Sequence, residues 1–135
     1  MGLLLTLHSI NRWFIIIFAL LAIIMLVKDI LARTEASKNS KIYSSIFTGL
    51  MDLQLVLGGA AFMLPDMSDG GRHMHMGVMI LAIIVAHLPA VFKKRNPAIY
   101  PKVMLGAIIV ALALVIYGVS ALGGQDRWLH VWGIF

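Results

Sequence analysis

The chain has 135 residues and a net charge of +5, and 61% of its residues are hydrophobic while only 13% are charged. Soluble domains contain about 25% charged residues, and a water-soluble fold of this size could not bury so much apolar surface. Because there is no cysteine, disulfides, thiolate metal ligands and covalent attachment of a c-type haem are also excluded.

Four apolar segments each approach the roughly 20 residues that a helix needs to cross a bilayer. Gly, Pro and Asn residues separate them, which is typical of turns between helices. The sequence therefore predicts an all-α fold, a four-helix transmembrane bundle in contact with the lipid bilayer and forming one membrane domain over residues 1–135. The predicted spans lie at about 3–27, 42–64, 74–92 and 103–122, and an interfacial tail follows at 123–135.

Basic residues concentrate in the first and third connections between these spans. The positive-inside rule places such connections in the cytoplasm, so we predict a multi-pass protein of the inner (cytoplasmic) membrane with both termini outside. We expect no nucleic-acid partner, because the positive charge lies in short loops between apolar spans. Eight of the eleven Lys and Arg residues are found there: Lys28, Arg33, Lys38, Lys41, Lys93, Lys94, Arg95 and Lys102.

Few polar residues interrupt the spans, and each is a candidate functional residue because polar groups are costly inside a bilayer. Two of them, His8 and His75, lie near the outer ends of the first and third spans, which run in the same direction. The two imidazoles therefore lie at similar depth, as the axial ligands of a b-type haem do. The remaining polar residues are Asn11, Arg12, Asp52, Gln54 and His87.

Two arginines are candidate partners for the anionic propionates of such a haem. Arg12 follows His8 by four residues and shares its helix face, and a guanidinium binds a carboxylate through two hydrogen bonds. Arg72 precedes the third span and offers a second clamp. The predicted cofactor is haem b, with His8 and His75 on the iron and Arg12 and Arg72 on the propionates. Alternatively, these residues lie at the membrane–water interface and bind no cofactor.

A second polar site is predicted further inside, from Asp52, Gln54 and His87. His87 lies twelve residues beyond His75, about 18 Å along a helix, so one haem cannot use both histidines. A carboxylate such as Asp52 is the natural partner of His87, and the pair would relay protons or bind a quinone head group. Alternatively, Asp52 and Gln54 serve only to hold helices together.

The residues of three spans resemble a family of small bacterial membrane proteins labelled cytochrome b-like. The first span carries the family's His-Ser-x-x-Arg-Trp pattern as His8, Ser9, Arg12 and Trp13. The second carries an acid, x-Gln and a later Gly as Asp52, Gln54 and Gly58, and the third carries the His and the Ala-His as His75 and Ala86-His87. The resemblance covers nearly the whole chain and implies a haem-binding four-helix membrane protein. Met74, where the family often has an acid, and the C-terminal tail depart from its pattern.

The leading functional hypothesis is a membrane b-type cytochrome or haem-binding subunit that passes electrons between the quinone pool and an outer-side acceptor. The alternative is a non-redox accessory subunit of a respiratory or photosynthetic membrane complex, and a third reading is a small transporter or proton relay built on Asp52 and His87. The expected partners are other membrane subunits or further copies of the chain. We expect no independent catalysis, because no nucleophile constellation or phosphate loop is found.

Overall fold

Four long helices and one short helix make up the described part of the chain. A computed structural model describes residues 2–63 and 70–123, with side chains for 3–63 and 73–119. Neither range contains a strand, so the predicted all-α class is confirmed. The helices are α1 (Gly2–Leu31), α2 (Lys38–Phe62), α3 (Gly70–His87), α4 (Ala90–Arg95) and α5 (Tyr100–Gly123).

The helices extend beyond the apolar segments that predicted them, most clearly where α1 meets α2. The predicted spans ended near residue 27 and began near residue 42, whereas α1 ends at Leu31 and α2 begins at Lys38. Arg33 adopts a left-handed backbone with φ 56°, and the Thr34 amide donates to the Asp29 carbonyl at 3.0 Å, a Schellman-type helix ending. Hydropathy detects only the apolar part of a helix, so capping residues decide its true ends.

The third span is interrupted, which the sequence reasoning did not anticipate. It was predicted as one helix at 74–92, but α3 ends at His87 and α4 starts at Ala90. Pro89 has no amide hydrogen and its ring clashes with the carbonyl four residues earlier, so the helix breaks there. The Leu88 amide instead donates to the Val85 carbonyl at 3.3 Å, closing a tighter turn.

Four segments of the fold are long and apolar enough to cross a membrane, so the chain is a multi-pass membrane protein. Its large aliphatic side chains point outward, where lipid would solvate them; Ile24, Val56 and Ile84 are among the most exposed. The predicted tail lies outside the described residues, except for Gly123. The four segments are Leu3–Leu31, Lys38–Phe62, His73–Arg95 and Tyr100–Val119.

The long helices form a ring in which α1 and α3 face each other across the bundle. Both α1 and α3 pack against α2 and α5, so α1 and α3 occupy opposite corners. Small side chains line much of the contact, as is usual where membrane helices approach closely. The buried stripes repeat at three- and four-residue intervals: Ile15, Ala19, Ala22 and Leu26 on α1; Phe47 and Met51 on α2; Ala82 and Ala86 on α3; Met104, Ile108, Ala111, Val115 and Val119 on α5.

A buried carboxylate organises the connection between α1 and α2. Asp29 is 6% exposed, and its Oδ2 accepts hydrogen bonds from the Ser37 amide at 2.8 Å and the Ser40 hydroxyl at 2.5 Å. Ser37 is also the N-cap of α2, where its hydroxyl oxygen accepts from the Ser40 amide at 3.2 Å. The last turn of α1 therefore fixes the first turn of α2.

Candidate functional site

The structure brings His8 of α1 and His75 of α3 together across the diagonal of the bundle. Their ring centroids are 6.3 Å apart and their planes are inclined by 78°. Both side chains are partly buried, and the helices that carry them are separated by α2 and α5 on either side. The two imidazoles therefore lie opposite each other inside the bundle, in the half that contains the starts of α1 and α3.

His75 is oriented by a backbone carbonyl of α5. Its Nδ1 lies 3.0 Å from the Gly118 oxygen, and since a carbonyl only accepts, Nδ1 must carry the proton. A neutral His75 then keeps its lone pair on Nε2. This is the arrangement found in metal-ligating histidines, whose other nitrogen usually donates to a carbonyl or carboxylate.

His8 packs directly against a glycine of α2. A Cβ placed on Gly58 would lie 3.0 Å from His8 Cε1, so only glycine lets the ring lie where it does. His8 Nδ1 is buried and has no hydrogen-bond partner among the described residues. A buried imidazole nitrogen without a partner carries a desolvation penalty of about 1–3 kcal/mol, so a ligand there would stabilise the structure.

Gly118 has the corresponding place beside His75. A Cβ at this position would lie 3.5 Å from His75 Nδ1 and 3.4 Å from Val78 Cγ1, and it would clash with the methyl group of Met79. The two imidazoles therefore belong to one pair of opposite helices, α1 and α3, and the glycines next to them belong to the other pair, α2 and α5.

Asn11 and Gln54 connect α1 to α2 just below His8. Asn11 Nδ2 donates to the Leu50 carbonyl at 3.0 Å and to Gln54 Oε1 at 2.8 Å. Gln54 Nε2 donates to the His8 carbonyl at 3.0 Å, and it lies 3.4 Å from His8 Nε2. Interhelical hydrogen bonds of this kind contribute about 0.6 kcal/mol each in a membrane, so this network positions the histidine more than it stabilises the bundle.

This placement separates Gln54 from the predicted second polar site. The expectation grouped Gln54 with Asp52 and His87, but residues two apart on a helix point about 200° apart. Gln54 accordingly faces the interior beside His8, whereas Asp52 faces outward and is exposed. Asn11 is engaged in the network beside His8 as well.

Asp52 and His87 form a pair on the sides of α2 and α3 that face away from the interior of the bundle. His87 Nε2 lies 2.7 Å from Asp52 Oδ1. This is the contact that the sequence predicted, and the side chains remain 47% exposed for His87 and 54% exposed for Asp52. The pair holds α2 against α3 and presents polar atoms away from the bundle.

Of the two predicted propionate partners, only one has a described side chain. Arg12 is 6% exposed and lies one helical turn after His8 on the same face. Arg72 belongs to α3, but its side chain lies outside the described residues. A buried guanidinium in a membrane segment is costly unless its charge is compensated, so Arg12 stays a candidate functional residue.

The donor set is a pair of imidazoles rather than a multidentate metal cluster. Among the described residues, no group of three or more His, Asp or Glu side chains comes together. Two opposed histidines suit a metal whose other ligands come from a macrocycle. No family model matches the chain, and neither a curated protein nor a solved structure is detectably similar to it.

The contact between His8 and Gly58 leads to a prediction for which the adjacent Gly59 is the control. Gly58→Ala should displace the His8 ring, because its new Cβ would approach Cε1 to 3.0 Å. At the adjacent Gly59→Ala, the new Cβ would meet nothing within 4 Å. We therefore expect Gly59→Ala to be neutral or to stabilise α2 by up to about 1 kcal/mol.

Thermal unfolding of both variants in one detergent measures this difference. Gly58→Ala should have the lower melting temperature, since crowding at a packed site typically costs about 1–3 kcal/mol. Equal melting temperatures for the two variants would show that the His8 ring can move without cost and that Gly58 is no special contact.

Proposed function

We propose that this chain is a b-type cytochrome, or a haem-binding subunit, of the cytoplasmic membrane. The observation that carries the proposal is the opposition of His8 and His75, whose ring centroids are 6.3 Å apart. Metal–imidazole bonds are about 2 Å long, so two imidazoles on one metal have centroids roughly 6 Å apart. The spacing therefore suits a pair of axial ligands.

The groups around the histidines support the same assignment. His75 donates from Nδ1 to the Gly118 carbonyl, so its lone pair is on Nε2, the nitrogen that would bind iron. His8 has a buried nitrogen without a partner among the described residues. Gly58 and Gly118 keep the flanking helices close to the imidazoles without bulky side chains. Arg12, one turn from His8, is the propionate partner, and Arg72 is the second one proposed.

A haem held in this way supplies one-electron chemistry, and the protein supplies its position and environment. We propose that the electron donor is in the quinone pool and that the acceptor is on the outer side of the membrane. We also propose that the chain belongs to the cytochrome b-like family that its sequence resembles. The Gly118 hydrogen bond sets the tautomer and basicity of His75. The apolar helices around the two histidines would limit the access of water to a bound haem, which would favour electron transfer over oxygen chemistry.

An absorption spectrum of the purified chain tests the proposal directly. We expect a Soret band that shifts on reduction, together with a pyridine haemochrome spectrum typical of haem b. The chain should bind added haem stoichiometrically if it is purified without it. A colourless protein that fails to bind haem under these conditions would rule out the proposal.

The proposed orientation places the connections at residues 32–37 and 96–99 in the cytoplasm. The chain has no cysteine, so single cysteines can be labelled without background. Thr34→Cys and Asn96→Cys, both exposed, should react with a membrane-impermeant maleimide only after the cells are opened. Labelling of both positions in intact cells would reverse the orientation and move the histidines to the inner half.

A further inference from the structure

The pair formed by Asp52 and His87 lies on the side of the bundle, away from the two facing imidazoles. About half of each side chain is exposed. Asp52 follows Lys41 by eleven residues, roughly 16 Å along a helix, and the half-thickness of a bilayer core is about 15 Å. His87 precedes Lys93 by only six residues, at most about 9 Å along a helix, so the pair lies within the apolar part of the bundle, on the side nearer the basic connections.

Apolar side chains surround this pair on the same surface. Val56, one turn after Asp52, is 67% exposed, while Ile84, one turn before His87, and the adjacent Leu88 are 53% and 54% exposed. A molecule that approaches the pair must therefore come from the lipid phase rather than from water. Its bulk must be apolar.

The chemistry of the pair further restricts this molecule. A carboxylate and an imidazole joined at 2.7 Å carry no net charge when His87 is protonated, so they do not select an ion. They offer hydrogen-bond acceptors and a donor, and together they can take up a proton. Ionisable groups within the apolar part of a bilayer are expensive when they are left facing lipid, so a polar head group that engages them is stabilising.

We infer that the Asp52–His87 pair is the docking site for the head group of a lipid-soluble quinol. This inference rests on the proposed electron-transfer function and names the place where its donor binds. A quinol has an apolar body and two hydroxyl groups that donate and accept hydrogen bonds, which matches the surface and the pair. The twelve residues from His87 to His75 place this site about 18 Å along α3 from the facing imidazoles.

The proton and electron balance is simple for this arrangement. Oxidation of one quinol to the quinone breaks its two O–H bonds and releases two protons and two electrons. The Asp52–His87 pair would accept the protons one at a time and release each to water at the nearer membrane surface. The two electrons would be taken up one at a time by the haem that His8 and His75 would hold, and the outer-side acceptor would remove the first before the second arrives.

Binding of quinones to the full chain in lipid nanodiscs tests the inference. The probes are decylubiquinone and a naphthoquinone with a short alkyl tail, and calorimetry gives the dissociation constant of each. We expect at least one of them to bind wild type, and we expect Asp52→Asn and His87→Gln to weaken that binding about tenfold or more, because each removes a hydrogen bond to a charged group. The exchanged pair, Asp52→His with His87→Asp, should retain most of the affinity.

A matched control comes from another lipid-facing position. Tyr117 on α5 is 53% exposed, so Tyr117→Phe removes a half-exposed hydroxyl far from the pair and should leave quinone binding unchanged. Helical content and elution volume of each variant show whether it is folded. The absorption spectrum of the same samples reports on the haem independently, so loss of quinone binding with an intact Soret band is attributable to the quinol site alone.

Three results would overturn the inference. The first is the absence of binding of both probes to wild type, and the second is unchanged affinity in folded Asp52→Asn and His87→Gln. The third is a wild-type dimer in nanodiscs that becomes monomeric in both variants, which would assign the pair to contact with a second copy. Quinone binding that depends on the pair in a protein that never binds haem would support the docking site and refute the proposed cytochrome.

Discussion

His75→Ala and His8→Ala are each expected to abolish the low-spin Soret band of the purified protein. Each variant removes one of two facing imidazoles, and His75→Ala also leaves the Gly118 carbonyl without its donor. Loss of an outer-shell partner of a ligating histidine typically weakens metal binding by about 10–100-fold, and loss of the ligand itself should exceed that. Titration of each purified variant with haem, followed by absorption, measures the effect.

His73→Ala is the matched control for this experiment. His73 is exposed and lies two residues from His75 on α3, and its ring packs edge-on against Phe62 at 5.2 Å between centroids. It therefore has the same chemistry in the same part of the helix but does not face His8. Haem binding that survives in His8→Ala and His75→Ala, or that disappears in His73→Ala, would place the cofactor elsewhere.

Asp29→Ala is expected to destabilise the fold by about 2 kcal/mol or more. The substitution leaves the Ser37 amide and the Ser40 hydroxyl without their acceptor, and each buried donor left unpaired costs about 1–3 kcal/mol. Ser40 is fully buried, so water cannot easily replace the carboxylate there. Thermal unfolding in detergent, followed by circular dichroism, gives the shift in melting temperature.

Glu35 provides the control, because it is an exposed acid in the same connection. Glu35→Ala removes the same charge six residues further along the chain and should change stability by no more than about 0.5 kcal/mol. If both substitutions lower the melting temperature equally, the effect is one of loop charge. A melting temperature unchanged in Asp29→Ala would mean that the carboxylate does not fix the start of α2.

The long helices could be predicted from the sequence, because a helix that crosses a bilayer must be mostly apolar and local composition shows this directly. Sequence reasoning missed the break at Pro89, although a proline inside an apolar span is a visible signal. It predicted the contact of Asp52 with His87, which the structure shows at 2.7 Å, but it grouped Gln54 with them because Gln54 is close to Asp52 in the chain. The helical rotation of about 200° between Asp52 and Gln54 was sufficient to place one inside and the other outside.

Local sequence is enough to predict the four apolar spans, the basic connections and the short list of polar residues within the spans, because these depend on residues close together in the chain. The arrangement of the helices, with some sharing an edge and others facing each other across the bundle, had to come from the folded structure, because it depends on side chains from distant segments packing together. This arrangement set His8 opposite His75, placed Gly58 and Gly118 against their rings, and left the Asp52–His87 pair facing outward.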